Sequence, residues 1–116
     1  MNIKNVAIIL LFFSNYAYSA GPPTIEEYQD NSDIEAHNTY IYGLERGLDW
    51  ANEYMFQKHS IEIYCKPSGL SLSSKQLRKI IDKAIQKNIT FYAKYKSVPL
   101  VGLALRNGYI DTFPCN

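Results

Sequence analysis

The chain has 116 residues, 47% hydrophobic and 20% charged, with 12 basic and 11 acidic side chains and two cysteines. That length holds one domain. A formal net charge of +1 argues against a dedicated nucleic-acid binder.

The N-terminus MNIKNVAIILLFFSNYAYSA carries one basic residue, Lys4, then an apolar run from Val6 to Phe13, then small residues. This is the pattern of a secretory signal peptide over residues 1–19. Ala17-Tyr18-Ser19 predicts cleavage after Ser19, with Ala20 as the second choice. The run is too short to span a bilayer, and no later stretch reaches the ~18 apolar residues of a membrane helix. Export implies an oxidising compartment, so Cys65 and Cys115 are read as a structural disulfide. Zinc held by both cysteines and a histidine is the alternative.

Residues 20–116 form the single mature domain. It is polarised: residues 20–59 hold eight acids against Arg46 and Lys58, whereas residues 60–116 hold nine bases against Glu62, Asp82 and Asp111. One face could therefore favour a basic partner.

After Gly21-Pro22-Pro23, Thr24 with Glu27 and Ser32 with Glu35 both have capping-box spacing. Either one long helix starts near Thr24, or a short helix yields to a longer one near Asp33. Ile34, Ile41, Leu44, Leu48, Ala51 and Met55 then form a helical stripe. Gly43, Gly47 and Ala51 lie four apart on that helix. Each glycine costs about 1 kcal/mol against alanine in a helix interior, so close approach of another backbone is expected there, within the domain or across a dimer.

Residues 59–73 are a connection holding Cys65, Pro67 and Gly69. Ser73 with Gln76 caps the next helix, whose core stripe is Leu77, Ile80, Ile81, Ala84 and Ile85. Lys75, Lys79, Lys83 and Lys87 form a row on another face, read as solvated. Residues 88–96 predict a short helix or turn. Ser97 predicts the cap of a last helix with Pro99 in its first turn and Gly108 at its C-terminal stop. The fold class is all-α, four to five helices stapled by one disulfide.

Catalytic chemistry finds little support. Paired cysteines leave no thiolate nucleophile. His37 and His59 are 22 positions apart, ~33 Å along a continuous helix, too far to share a metal. Glu45, Asp49 and Glu53 crowd one helix, with no glycine-rich phosphate loop or serine-histidine-aspartate signature in the chain. No catalytic residue, cofactor or metal ligand is assigned, and binding is favoured over catalysis. Eight tyrosines remain in the mature chain. Core packing is the simpler reading for any one of them, but Tyr92, Lys94, Tyr95 and Lys96 are grouped in a polar stretch and are the first partner-binding candidates. Glu45, Asp49 and Glu53 are the second, as an acidic contact.

The ordered combination of a signal peptide, YIYGLERGLDWAN, YCKPSGLSLSSKQLRKII and LALRNGYIDTFPC resembles the Rap/Tai family of type VI secretion immunity proteins, and GLDWAN leans toward the Tai branch. The resemblance implies a periplasmic, all-helical homodimeric antitoxin that binds a peptidoglycan amidase effector and blocks its cleft. By the same resemblance Cys65 and Cys115 are the disulfide, and Gly43 and Gly47 are helix-packing glycines. A small periplasmic stress chaperone similar to HdeA, also helical and disulfide-bonded, is the alternative reading.

Overall fold

The computed structural model describes residues 21–31 and 33–116. The expected signal peptide and both cleavage positions lie outside them, as does Ser32. Five helices occupy the described residues: α1 Ile25–Asp30, α2 Ile34–His59, α3 Ser74–Lys87, α4 Ile89–Lys94 and α5 Val101–Thr112, with no strand among them. None is long and apolar enough to cross a membrane.

Helix α1 is short because its cap and its stop are close together. Glu27 N–H donates to Thr24 Oγ1 at 3.1 Å and Thr24 N–H to Glu27 Oε1 at 3.4 Å, while Asn31 turns left-handed at φ 59°. Asparagine tolerates that conformation. The first-turn donors of α1 are used outside the helix: Ile25 N–H reaches Val98 O at 3.3 Å and Glu26 N–H reaches Lys96 O at 3.0 Å. This docks α1 on the connection before α5 and answers the unsatisfied donors of a helix start. Of the two sequence readings, the short helix followed by the long one is correct.

The 26 residues of α2 run unbroken to Ser60, which is left-handed at φ 56°. Its buried face is more polar than the stripe of aliphatic residues predicts. Ile41 is fully buried and Leu44 and Leu48 pack against the core, but Ile34 is 48% exposed and Ala51 is exposed. His37 and Glu45 are buried instead. Counting apolar spacings missed Glu45 because a polar side chain with internal partners, here Lys66 and Tyr109, can occupy a core face; His37 Nδ1 is buried with no hydrogen-bond partner among the described residues.

The main packing is α3 on α5. Ser73 and Gln76 close the expected capping box at 3.2 and 2.9 Å, and Leu77, Ile81, Ala84 and Ile85 are buried. Gly108 was expected to stop the last helix. It lies inside α5 instead, where an added Cβ would come 2.5 Å from Ile80 Cγ2 and 2.9 Å from Ile80 O. Glycine is needed there because α3 and α5 touch almost backbone to backbone. Gly102 has a looser version of the same role, with Leu44 Cδ2 3.2 Å from an added Cβ.

The expected start of α5 is also corrected. Leu100 occupies the N-cap position, so Ser97 does not cap it and Pro99 precedes the helix. Val98 precedes proline and is biased away from helical geometry; Val98 N–H bonds Tyr95 O at 3.0 Å and the segment remains a turn.

The expected disulfide is present. Cys65 and Cys115 are bonded, with Cα atoms 5.0 Å apart, and Cys65 N–H donates to Phe113 O at 2.8 Å. The 60–73 connection is also held to α2 by Asn52, whose Oδ1 accepts Ile63 N–H at 2.6 Å and whose Nδ2 donates to Tyr64 O at 3.0 Å.

Candidate partner-binding surfaces

Five side chains from three parts of the chain meet between α2, the 60–73 connection and α5. Lys66 Nζ lies 3.1 Å from Glu45 Oε1 and 2.6 Å from Asp49 Oδ2. Tyr109 OH donates to Glu45 Oε1 at 3.0 Å, and Tyr64 OH to Asp49 Oδ1 at 2.5 Å. The two phenol rings pack edge to face, centroids 4.9 Å apart.

Glu45 and Asp49 were expected to offer an acidic contact to a partner. Glu45 is 7% exposed and both carboxylates already hold a lysine and a tyrosine, so they serve the interior. Glu53 alone of the three is free at the surface, accepting only Gln57 Nε2 at 3.2 Å. Lys66 was missed by the sequence reading. Its partners lie 21 and 17 positions upstream, a separation no local pattern links.

Burial pulls the Lys66 ammonium down, but the hydrogen bonds and attraction of Asp49 and Glu45 outweigh it and hold its pKa above the ordinary lysine value. Burial first, then adjacent carboxylates, push three phenols well above the ordinary tyrosine value of 10.0: Tyr28 beside Asp82, Tyr64 beside Asp49 and Tyr109 beside Glu45. A group whose folded pKa is raised contributes stability that is complete below its unfolded pKa and is lost as pH rises. Above pH ~10 each such tyrosine therefore removes about 1.4 kcal/mol of stability per pH unit. Alkaline titration should show the tyrosinate absorbance of these three buried phenols appearing together with loss of helical circular dichroism, as a step separate from that of the exposed Tyr42, Tyr54 and Tyr95.

The second surface is the corner formed by α4 and the turn after it. Tyr92, the first of the expected partner-binding tyrosines, is 1% exposed and belongs to the core. Its neighbours Lys94, Tyr95 and Lys96 are exposed, as expected. Ile89 (44%), Phe91 (38%) and Val98 (39%), nearby in sequence, are also exposed apolar side chains that the sequence reading omitted. Phe91 and Tyr95 are one helical turn apart with ring centroids separated by 5.0 Å, and Lys94 Nζ lies 5.4 Å from the Tyr95 ring centroid. The i, i+4 aromatic pair was the available signal. Because α1 bonds the carbonyls of Lys96 and Val98, the corner is braced from behind.

A groove of roughly 500 Å³ lies between α2 and the 60–73 connection, with Glu53, Phe56, Glu62 and Leu70 among its walls. Glu62, Cys65 and Cys115 have ligand atoms within 4.8 Å of one another, but the two sulfurs are bonded to each other and offer no thiolate. His37 and His59 lie in the first and last turns of the single helix α2. On the basic row of α3, Lys87 pairs with Asp111 at 2.9 Å.

The expected packing glycines have no close neighbour among the described residues: a Cβ added at Gly43 or Gly47 would meet nothing within 4 Å. The close approach expected within the domain is made by Gly102 and Gly108 instead. Comparison with known protein families, curated proteins and solved structures finds no match for this chain.

Proposed function

We propose that this chain is a periplasmic immunity protein. It binds the type VI secretion amidase effector encoded with it and occludes the cleft that cleaves peptidoglycan, protecting the producing cell. The observation that carries this reading is the braced corner, where an aromatic pair flanked by Lys94 and Lys96 stands out from a disulfide-tied helical frame. An inhibitor needs a preorganised surface more than reactive groups, and exposed aromatics on a rigid support bind at low entropic cost. The resemblance of the YCKPSG and TFPC segments to the Rap/Tai family supplies the partner class.

Isothermal titration of the purified chain against the product of the adjacent gene tests the reading. Tight binding is expected, and replacing Lys94 and Tyr95 together by alanine should weaken it at least ~30-fold, the scale of a hot spot. The melting temperature should hardly move, since both side chains are exposed. Absence of binding by the unmodified chain overturns the proposal. Suppression of aggregation at about pH 3 by a loosened form, with no amidase bound, would favour the stress chaperone instead.

A further inference from the structure

Glu62 faces the disulfide, and its charge is unanswered. Its Oε2 lies 3.0 Å from Cys65 Sγ, yet a bonded sulfur has no proton to give. Among the described residues no cation pairs with that carboxylate, and Lys66, beside Cys65 in the chain, is held by Glu45 and Asp49. Nothing in the oxidised pair accounts for a full negative charge at that spot. A cation shared with two thiolates does.

The Glu62 carboxylate and the two sulfurs lie within 4.8 Å of one another. A tetrahedral zinc ion with Zn–S bonds of ~2.3 Å sets two sulfurs ~3.8 Å apart. Cysteines whose Cα atoms are 5.0 Å apart reach that separation by rotating their side chains. The backbone keeps the three residues together without the sulfur bond. Cys65 N–H donates to Phe113 O at 2.8 Å, and Asn52 ties Ile63 and Tyr64 to α2. A frame fixed by other contacts presents ligands that need little reordering to bind. Glu62 and Cys115 are exposed, so an ion can enter from solvent and keep water as its fourth ligand.

We propose that the reduced chain binds a thiophilic divalent cation, of which zinc is the type, through Cys65 Sγ, Cys115 Sγ and a Glu62 carboxylate oxygen. A dithiol reductant makes the first step. Its two electrons and two protons open the S–S bond to two cysteine thiols, and it closes to its own disulfide. Zinc then displaces the two thiol protons to solvent, while Glu62 enters already ionised. Thiolates select zinc over magnesium and calcium, which take oxygen ligands. The third ligand is a carboxylate, where the sequence alternative placed a histidine. The staple is thus exchangeable, sulfur to sulfur when oxidised and through zinc when reduced. Metal uptake needs no amidase, so the proposal stands or falls apart from the inhibitory reading.

Cobalt titration of the full chain gives the test, after anaerobic reduction in the cold with a phosphine that is then removed. Cobalt is the probe because thiolate ligation gives charge-transfer absorption in the near ultraviolet. One cobalt per reduced chain is expected, displaced by one zinc, and none for the oxidised chain. Zinc at ~100 times its Kd should raise the melting temperature of the reduced chain by ~10 °C or more and leave that of the oxidised chain unchanged. Glu62→Gln should weaken zinc binding at least ~tenfold, as loss of even an outer-sphere partner does. The same change should move the melting temperature of the oxidised chain by no more than ~4 °C, because the side chain is exposed. A reduced chain that takes up no cobalt, or that zinc does not stabilise, overturns the proposal. So does equal uptake by the oxidised chain, or a Glu62→Gln chain that binds zinc with the parent affinity.

Discussion

Lys66→Met is expected to destabilise the fold by about 3–5 kcal/mol, the scale of removing one partner from a buried ion pair. Methionine keeps most of the stem's volume, so the loss isolates the charge. Glu45 would remain behind with a side chain only 9% accessible and Tyr109 OH as its one remaining donor. Asp49 would lose less, because its side chain is 31% accessible and water screens it. Against a typical total of ~5–15 kcal/mol, such a loss leaves little of the native state. Urea denaturation measures it. The double variant Lys66→Met with Glu45→Gln should recover part of the stability, because the stranded charge is gone. A loss below ~1 kcal/mol for Lys66→Met alone would mean that solvent reaches Glu45 freely.

Cys65→Ser is the other large change. The closed loop spans 50 positions, for which the chain-entropy model gives ~4 kcal/mol. For a domain of this size that corresponds to a fall in melting temperature on the order of 20 °C. The native fold should survive at low temperature. Cys65 N–H would still bond Phe113 O, and Phe113 would still pack on Tyr109 with ring centroids 5.4 Å apart. Amidase binding by the cold, folded variant should therefore match the parent chain within about threefold, since the disulfide lies outside the proposed contact; that margin is ~0.6 kcal/mol. Calorimetric melting and binding at low temperature separate the two effects. Full stability with lost binding would assign the sulfur a direct part in recognition.

Local chemistry was legible in the sequence. Thr24 with Glu27 and Ser73 with Gln76 announce helix starts because both halves of each capping box lie within four residues. The α3 core stripe reads cleanly because its buried positions are all apolar. The disulfide was read from the signal-like N-terminal pattern and the presence of two cysteines, and the two are bonded. Reading failed where the deciding contact joins distant parts of the chain. Gly108 looks like a helix stop until Ile80 is placed against it, and Glu45 looks like surface acid until Lys66 and Tyr109 close over it. Tyr92 and Tyr95 are three residues apart in the same polar stretch, yet one is core and the other surface. Helical phase separates them, and phase could not be set without the start of α4 at Ile89.

In the proposed reading the braced corner faces the effector. The interior is held rigid beneath it, since the Lys66 cluster and the disulfide hold the 60–73 connection against α2 and the chain's end.

Titrating the purified amidase effector with this chain while following cleavage of peptidoglycan stems tests the proposed function most directly. Activity should fall linearly to zero at one chain per enzyme, and the Lys94→Ala/Tyr95→Ala variant should require a large excess. Undiminished cleavage in the presence of excess folded, disulfide-bonded chain would contradict it.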